Sequence, residues 1–214
     1  MIVFVLIFKS IYVQWKLFHF FLFQVGAFSA YFHATLSLLG QMLDEVAILW
    51  MLLASYSFFT PNRYRPAFYR DGWAHIISFV AAVMLTAAWF VAPQMNAYAL
   101  FIVALPIILM QVSEIRVYKN PVTLQMTKLA LLLTAVGFTA WIADKCLCGL
   151  WRSLKIPGLH NVWHLLVAIA SYLDMTVFGF LRSSLDKPLS KPTIRYWPGK
   201  TTGLPYVHCR GITG

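Results

Sequence analysis

Charge is what this chain has least of. Only 11% of its 214 residues are charged, and 7 acidic residues face 17 lysines and arginines. A water-soluble domain of this length carries charge on about a quarter of its residues. Such a surface is excluded here, because 60% of the chain is apolar and the mean hydropathy is +0.71. Cysteine is scarce too. Cys146, Cys148 and Cys209 are too few and too unevenly placed for a disulfide framework, and they leave the redox compartment open. A formal net charge of +10 would suit a nucleic-acid partner. The basic residues, however, lie in short clusters between apolar runs, and the aromatics sit inside those runs, so no nucleic acid is expected. The class that remains is an all-α polytopic transmembrane helix bundle, with membrane lipids as its surroundings.

Length sets the spans, since about 20 residues of helix cross the hydrocarbon core. From Ile11 to Phe59 the sequence is almost continuously apolar, and one straight helix of that length would run roughly 70 Å. It must turn back, and Leu38-Leu39-Gly40-Gln41 offers a permissive glycine among polar residues. The expected spans are Ile11 to Leu38, Met42 to Phe59, Trp73 to Val91, Asn96 to Val112, Thr123 to Ala143 and Leu159 to Leu181, six complete crossings. Met1 to Phe8 is apolar but only about 12 Å long as a helix. It lacks a basic n-region and a small-residue cleavage site, and reads as the remnant of a further helix. Residues 1–181 are thus expected to form one membrane domain, and 182–214 a polar, extended, non-spanning tail.

Basic residues orient the bundle. One set of loops holds Lys9, Lys16, Arg63, Arg65, Arg70, Arg116 and Lys119, and the tail adds Arg182, Lys187, Lys191, Arg195, Lys200 and Arg210. The other set holds only Lys145, Arg152 and Lys155. The first set, and with it the C-terminus, faces the cytosol. Ser29 and His33 then lie near the outer end of their span, and His160 and His164 at the outer start of the last one. Four crossings separate the two groups, so parity puts both on the same side. Asp44, just after the expected turn, joins them there.

Ionisable side chains at membrane depth are expensive and mark function by default. Ser29 and His33 are i and i+4, as are His160 and His164, so each pair projects from one helix face. Three imidazoles leave a tetrahedral Zn²⁺ with an open fourth position, the pattern of catalytic sites, where the pKa of a water falls from about 15.7 toward 7. His33, His160 and His164 are the expected metal ligands. Asp44 could orient or deprotonate the water and pass its proton to the leaving group. Ser29 could donate to a developing oxyanion.

The other polar residues carry blander readings. His19 and His75 gain no partner from spacing and read as structural or interfacial; His208 falls in the polar tail and reads as solvated. Asp174 lies about 15 Å along the axis from His164 and reads as part of a polar interhelical contact, with a second ion site conceivable. Glu45, Asp144 and Glu114 near span ends read as snorkelling or salt-bridged. Tyr31, Trp50, Trp141 and Trp163 read as aromatic belt or core packing.

The run FSAYFHATLSLLGQMLDEVAILW (Phe28 to Trp50), WIADK with the following cysteine (Trp141 to Cys148), LHNVWHLL (Leu159 to Leu166) and RYWPGK with GLPYV (Arg195 to Val207) closely resemble the alkaline ceramidases. The resemblance runs from about Lys9 to Gly211 and implies a seven-transmembrane amidase that hydrolyses ceramide to sphingosine and a fatty acid. It implies that Ser29, His33, Asp44, His160 and His164 form the zinc site, with Asp44 as general base and acid and Ser29 holding the oxyanion. It implies a site facing the lumen or cell exterior, and leaves endoplasmic reticulum, Golgi and plasma membrane open. The family begins with an acidic segment that binds Ca²⁺ and with a first helix; no acidic residue precedes Asp44 here, so the resemblance carries no Ca²⁺ site onto this chain. Nor does it carry the cysteine that would pair with the position of Cys148.

Rival readings follow from the same residues. A catalytically incompetent truncated isoform, or a receptor-like relative of adiponectin or progestin receptors, would keep three histidines. A transporter or proton channel would show discontinuous helices in repeated halves, and the sequence has no such symmetry.

Overall fold

In a computed structural model, residues 11–117, 120–154, 159–186 and 191–209 are described. The remnant expected at Met1 to Phe8, and the charges Lys9, Lys119, Lys155, Lys187 and Arg210, lie outside the described residues. The helices are α1 (Ile11–Thr35), α2 (Leu38–Phe59), α3 (Asp71–Val91), α4 (Asn96–Val117), α5 (Pro121–Cys146), the short α6 (Cys148–Ser153) and α7 (His160–Asp186). A hairpin of β1 (Pro192–Pro198) and β2 (Gly203–Cys209) follows. Among the described residues, five helices are long and apolar enough to cross a membrane: α1, α2, α3, α5 and α7. The sixth expected span is also helical, with its apolar stretch at Tyr98–Glu114 of α4. The chain divides into two compact units at Ile107, one residue past the Pro106 inside α4.

In the first unit, α2 packs against both α1 and α3. The turn between α1 and α2 lies at Leu36 and Ser37, earlier than the glycine suggested. Leu36 takes a left-handed φ of 49°, which few non-glycine residues adopt. Ser37 caps α2, its Oγ accepting from the Gly40 amide at 3.0 Å, a cap worth about 1 kcal/mol. Gly40 lies inside α2 and allows close approach instead of turning the chain: a Cβ there would sit 2.9 Å from Phe32 Cα and 3.0 Å from Ser37 Oγ. Gly40→Val should therefore lower stability by about 1–3 kcal/mol. Thermal unfolding of the purified variant would measure the loss, and an unchanged midpoint would remove this role.

Below the turn, Met42, Val46, Leu49 and Leu53 recur at helical spacing along α2 and pack with Leu85 and Trp89 of α3. At the far end, Trp15 and Phe18 of α1 close over Phe59 with ring centroids 5.1 and 5.7 Å apart. Arg65, expected only as a topological charge, is buried: its Nη2 donates to the carbonyls of Ser57 (2.6 Å) and Tyr56 (3.3 Å). A guanidinium there satisfies carbonyls that the end of α2 leaves unpaired.

In the second unit α5 packs along α7. Small residues allow the approach: Ala130 and Ala170 are buried, and a Cβ on Gly137 would lie 3.2 Å from Val167. The tail begins later than expected, because α7 continues through Arg182 to Asp186. It then folds as an antiparallel hairpin pairing Pro192 with Cys209 and Pro198 with Gly203. The hairpin docks on α7, where Tyr172 Oη donates to the Pro205 carbonyl at 2.9 Å. His208 is half-buried in this hairpin.

Candidate functional site

The sequence-predicted residues fall into one group in each unit. In the first, Ser29 and His33 lie on the last turns of α1 and Asp44 near the start of α2. At 1.5 Å per residue, Ser29 and Asp44 each stand about 10–12 Å from the turn at 36–37, level with one another across the helix pair. His33 lies one helical turn nearer that end. Ser29 and Asp44 are buried, at 9% and 3% exposure, and His33 is half-buried. A carboxylic acid so deep in an apolar helix pair is costly.

In the second unit, His160 and His164 lie on the first turns of α7, half-buried, with ring centroids 4.7 Å apart. The i, i+4 spacing has done what it predicts, bringing both rings onto one face. Two adjacent imidazoles offer nitrogen donors to a metal. Trp163, read from sequence as packing, does more than that: its ring lies 4.4 Å from His164 and 5.1 Å from His160. It bears on both imidazoles and limits their rotation. Gly137 of α5 lies beside it, where a Cβ would stand in van der Waals contact, 3.5 Å from Trp163 Cδ1. Only its position inside the HNVWH run could have signalled this.

The remaining polar residues have partners of their own. His75 packs on Phe58 at 5.6 Å, and His19 Nδ1 lies 2.7 Å from the Trp15 carbonyl oxygen. Trp50 Nε1 donates to Thr86 Oγ1 at 3.0 Å, and Lys145 lies 4.9 Å over the Trp141 ring. Glu45 accepts from Gln41 at 3.0 Å. Glu114 does not snorkel: it is 3% exposed.

Comparison with known proteins bears on these groups directly. The Ceramidase family model matches residues 2–208. Human alkaline ceramidase 1 is 38% identical over 95% of this chain and 77% of its own length. Alkaline ceramidase from Drosophila melanogaster is 34% identical over 94% of this chain and 71% of its own, and that from Caenorhabditis elegans 28% identical over 85% and 70%. No solved structure matches the chain. Since the match takes in both polar groups and the hairpin beyond them, this chain belongs to the ceramidase family.

Proposed function

We propose that this chain is a membrane-embedded, zinc-dependent amidase that cleaves the N-acyl bond of ceramide, giving sphingosine and a free fatty acid. The observation that carries the reading is the paired imidazole face of His160 and His164 in a chain of this family. His33 is the third ligand of the proposed set. The donors suit zinc: three imidazoles and no thiolate make a three-ligand catalytic set. Bound there, Zn²⁺ would supply Lewis acidity and an activated water.

The chain's own residues supply the rest. Asp44 takes the proton of the attacking water and returns it to the amide nitrogen as the C–N bond breaks, so that sphingosine leaves as a neutral amine. A buried carboxylate is suited to both halves of that transfer, because its surroundings do not strongly favour the charged form. Ser29 donates its hydroxyl hydrogen to the oxygen that was the amide carbonyl, where negative charge develops. Trp163 keeps the two imidazoles of α7 from turning away. By the distribution of lysine and arginine, the site faces the lumen or exterior of the endoplasmic reticulum, Golgi or plasma membrane, and the C-terminal hairpin faces the cytosol.

The test is release of labelled fatty acid from ceramide by membranes expressing this chain, before and after zinc is stripped by a chelator and restored. Chelator-sensitive turnover is the expected result; turnover indifferent to chelation by a protein free of zinc would overturn the zinc reading. Ser29→Ala should reduce kcat by about 100-fold, the lower end for an oxyanion donor. A change confined to KM would instead make Ser29 a substrate-binding residue.

A further inference from the structure

The C-terminal hairpin has two faces of different character, and the described residues cover only one of them. Its register puts Ile194 opposite Val207 and Tyr196 opposite Pro205 on one face, and Arg195 opposite Tyr206 and Trp197 opposite Leu204 on the other. The first face turns to α7, with Pro205 buried and Ile194, Tyr196 and Val207 half-buried. The second is open. Trp197, Leu204 and Tyr206 are 66%, 57% and 38% exposed, and Arg195 is exposed beside them. A tryptophan and a leucine directly opposite one another across two strands form a contiguous apolar patch, the kind of surface that marks a contact.

The depth of the hairpin says what it meets. Tyr172 Oη donates to the Pro205 carbonyl at 2.9 Å, and Thr176 Oγ1 stands 3.5 Å from it. Both residues lie inside the stretch of α7 that is long and apolar enough to span a membrane. They stand about 15 and 9 Å along the helix before Arg182, the first basic lysine or arginine of α7. The hairpin thus folds back beside the membrane-crossing part of α7 and does not hang free in water. Nor does it sit in the hydrocarbon core, because both of its strands are edges whose outward N–H and C=O groups need water. The headgroup region meets both conditions, and tryptophan and tyrosine are enriched there.

Charge selects among headgroups. From 191 to 209 the chain holds Lys191, Arg195 and Lys200, all exposed, and no acidic residue. Arg195 shares the open face with Trp197, and Lys200 lies in the turn between the strands. We propose that the open face of the hairpin seats on anionic phospholipid headgroups, with Trp197 and Leu204 toward the acyl boundary and Arg195 and Lys200 on headgroup oxygens. The arginine fork matches a phosphate bidentately, and the lysine acts as a point charge. A zwitterionic headgroup cancels its own phosphate with an ammonium, whereas an anionic one leaves a charge for these cations to meet. On the reading that places the C-terminus in the cytosol, the hairpin faces the leaflet that carries anionic lipid. Seated this way, it ties α7, which carries His160 and His164 at its other end, to the lipid surface.

The probe is phosphatidylserine or phosphatidylcholine brominated on its acyl chains, each at the same mole fraction in phosphatidylcholine nanodiscs around the purified full chain. Bromine quenches tryptophan only at close range. Trp197 is one of eight tryptophans, and the fluorescence lost in Trp197→Phe isolates it, with Trp197→Tyr as a second reference. Brominated phosphatidylserine should quench the Trp197 component more strongly than brominated phosphatidylcholine by at least about fivefold, the enrichment that one interfacial cation gives. The ratio should fall toward one at high salt. Arg195→Gln combined with Lys200→Gln should also bring it toward one at unchanged helicity, since both side chains are exposed. A ratio of one in the wild type overturns the anionic assignment. Trp197 unquenched by either lipid overturns the membrane seat and assigns the patch to a protein surface. A high ratio untouched by the double substitution overturns the role of Arg195 and Lys200. The two leaflets of a nanodisc are identical, so the outcome is independent of which side of the membrane the hairpin occupies.

Discussion

Replacing His160 and His164 together by alanine should reduce amidase turnover by at least about 1,000-fold. A metal acting as Lewis acid and water activator contributes several kcal/mol to the barrier, and each 1.36 kcal/mol is tenfold in rate. Removing two of three ligands removes that contribution entirely. The two rings lie side by side at 4.7 Å, half-buried on the first turns of α7, where alanine is well tolerated by the helix. Folding should therefore survive, and circular dichroism and elution volume would check it. Zinc per chain, measured by mass spectrometry, should fall from about one to near zero. Full activity in a variant without zinc would mean that α7 contributes shape and not chemistry. Loss of activity with zinc retained would put the metal elsewhere in the chain.

The spans, and which polar residues share a helix face, were largely legible in the sequence because both rest on periodicity and length. A 20-residue apolar run must be a helix in lipid, since only a helix satisfies its own backbone there. An i, i+4 pair must share a face of that helix, and the adjacent rings of His160 and His164 bear this out. What escaped the reading depended on local chemistry that runs against propensity. Gly40 looked like the turn because glycine is permissive, yet Leu36 takes the left-handed conformation and Gly40 is spent on letting α1 and α2 touch. The serine cap at Ser37 was the better signal, standing three residues before the amide it accepts from.

The hairpin was hidden for a different reason. Thr193 to Trp197 and Leu204 to Val207 are rich in strand-forming residues around a turn, but Pro192, Pro198 and Pro205 weaken any strand prediction. In an isolated two-stranded pair both strands are edges, so prolines can sit where no ladder donor is needed. The burial of Gln111, Glu114 and Asp174 was equally out of reach. Sequence places each residue at a depth in the membrane, while only packing decides whether it faces lipid, a neighbouring helix or water.

Asp44→Asn isolates the proton transfer from the metal. Asparagine has the same shape and can take the same place in the buried face of α2, where Asp44 is 3% exposed, but it can neither accept the water's proton nor deliver it to the nitrogen. General acid–base catalysis contributes about 10²–10⁴-fold, so kcat should fall by about 1,000-fold. Zinc content and the thermal midpoint should stay within error of the wild type, because the substitution removes no ligand and no volume. The residual rate should lose its dependence on one ionisation, flattening one limb of the pH profile. If kcat holds and only KM rises, Asp44 binds substrate and another group moves the proton; if zinc is lost, Asp44 orients a ligand. The comparison with the double histidine variant then separates the two roles, since one chain would lack the metal and keep the acid, and the other would keep the metal and lack the acid.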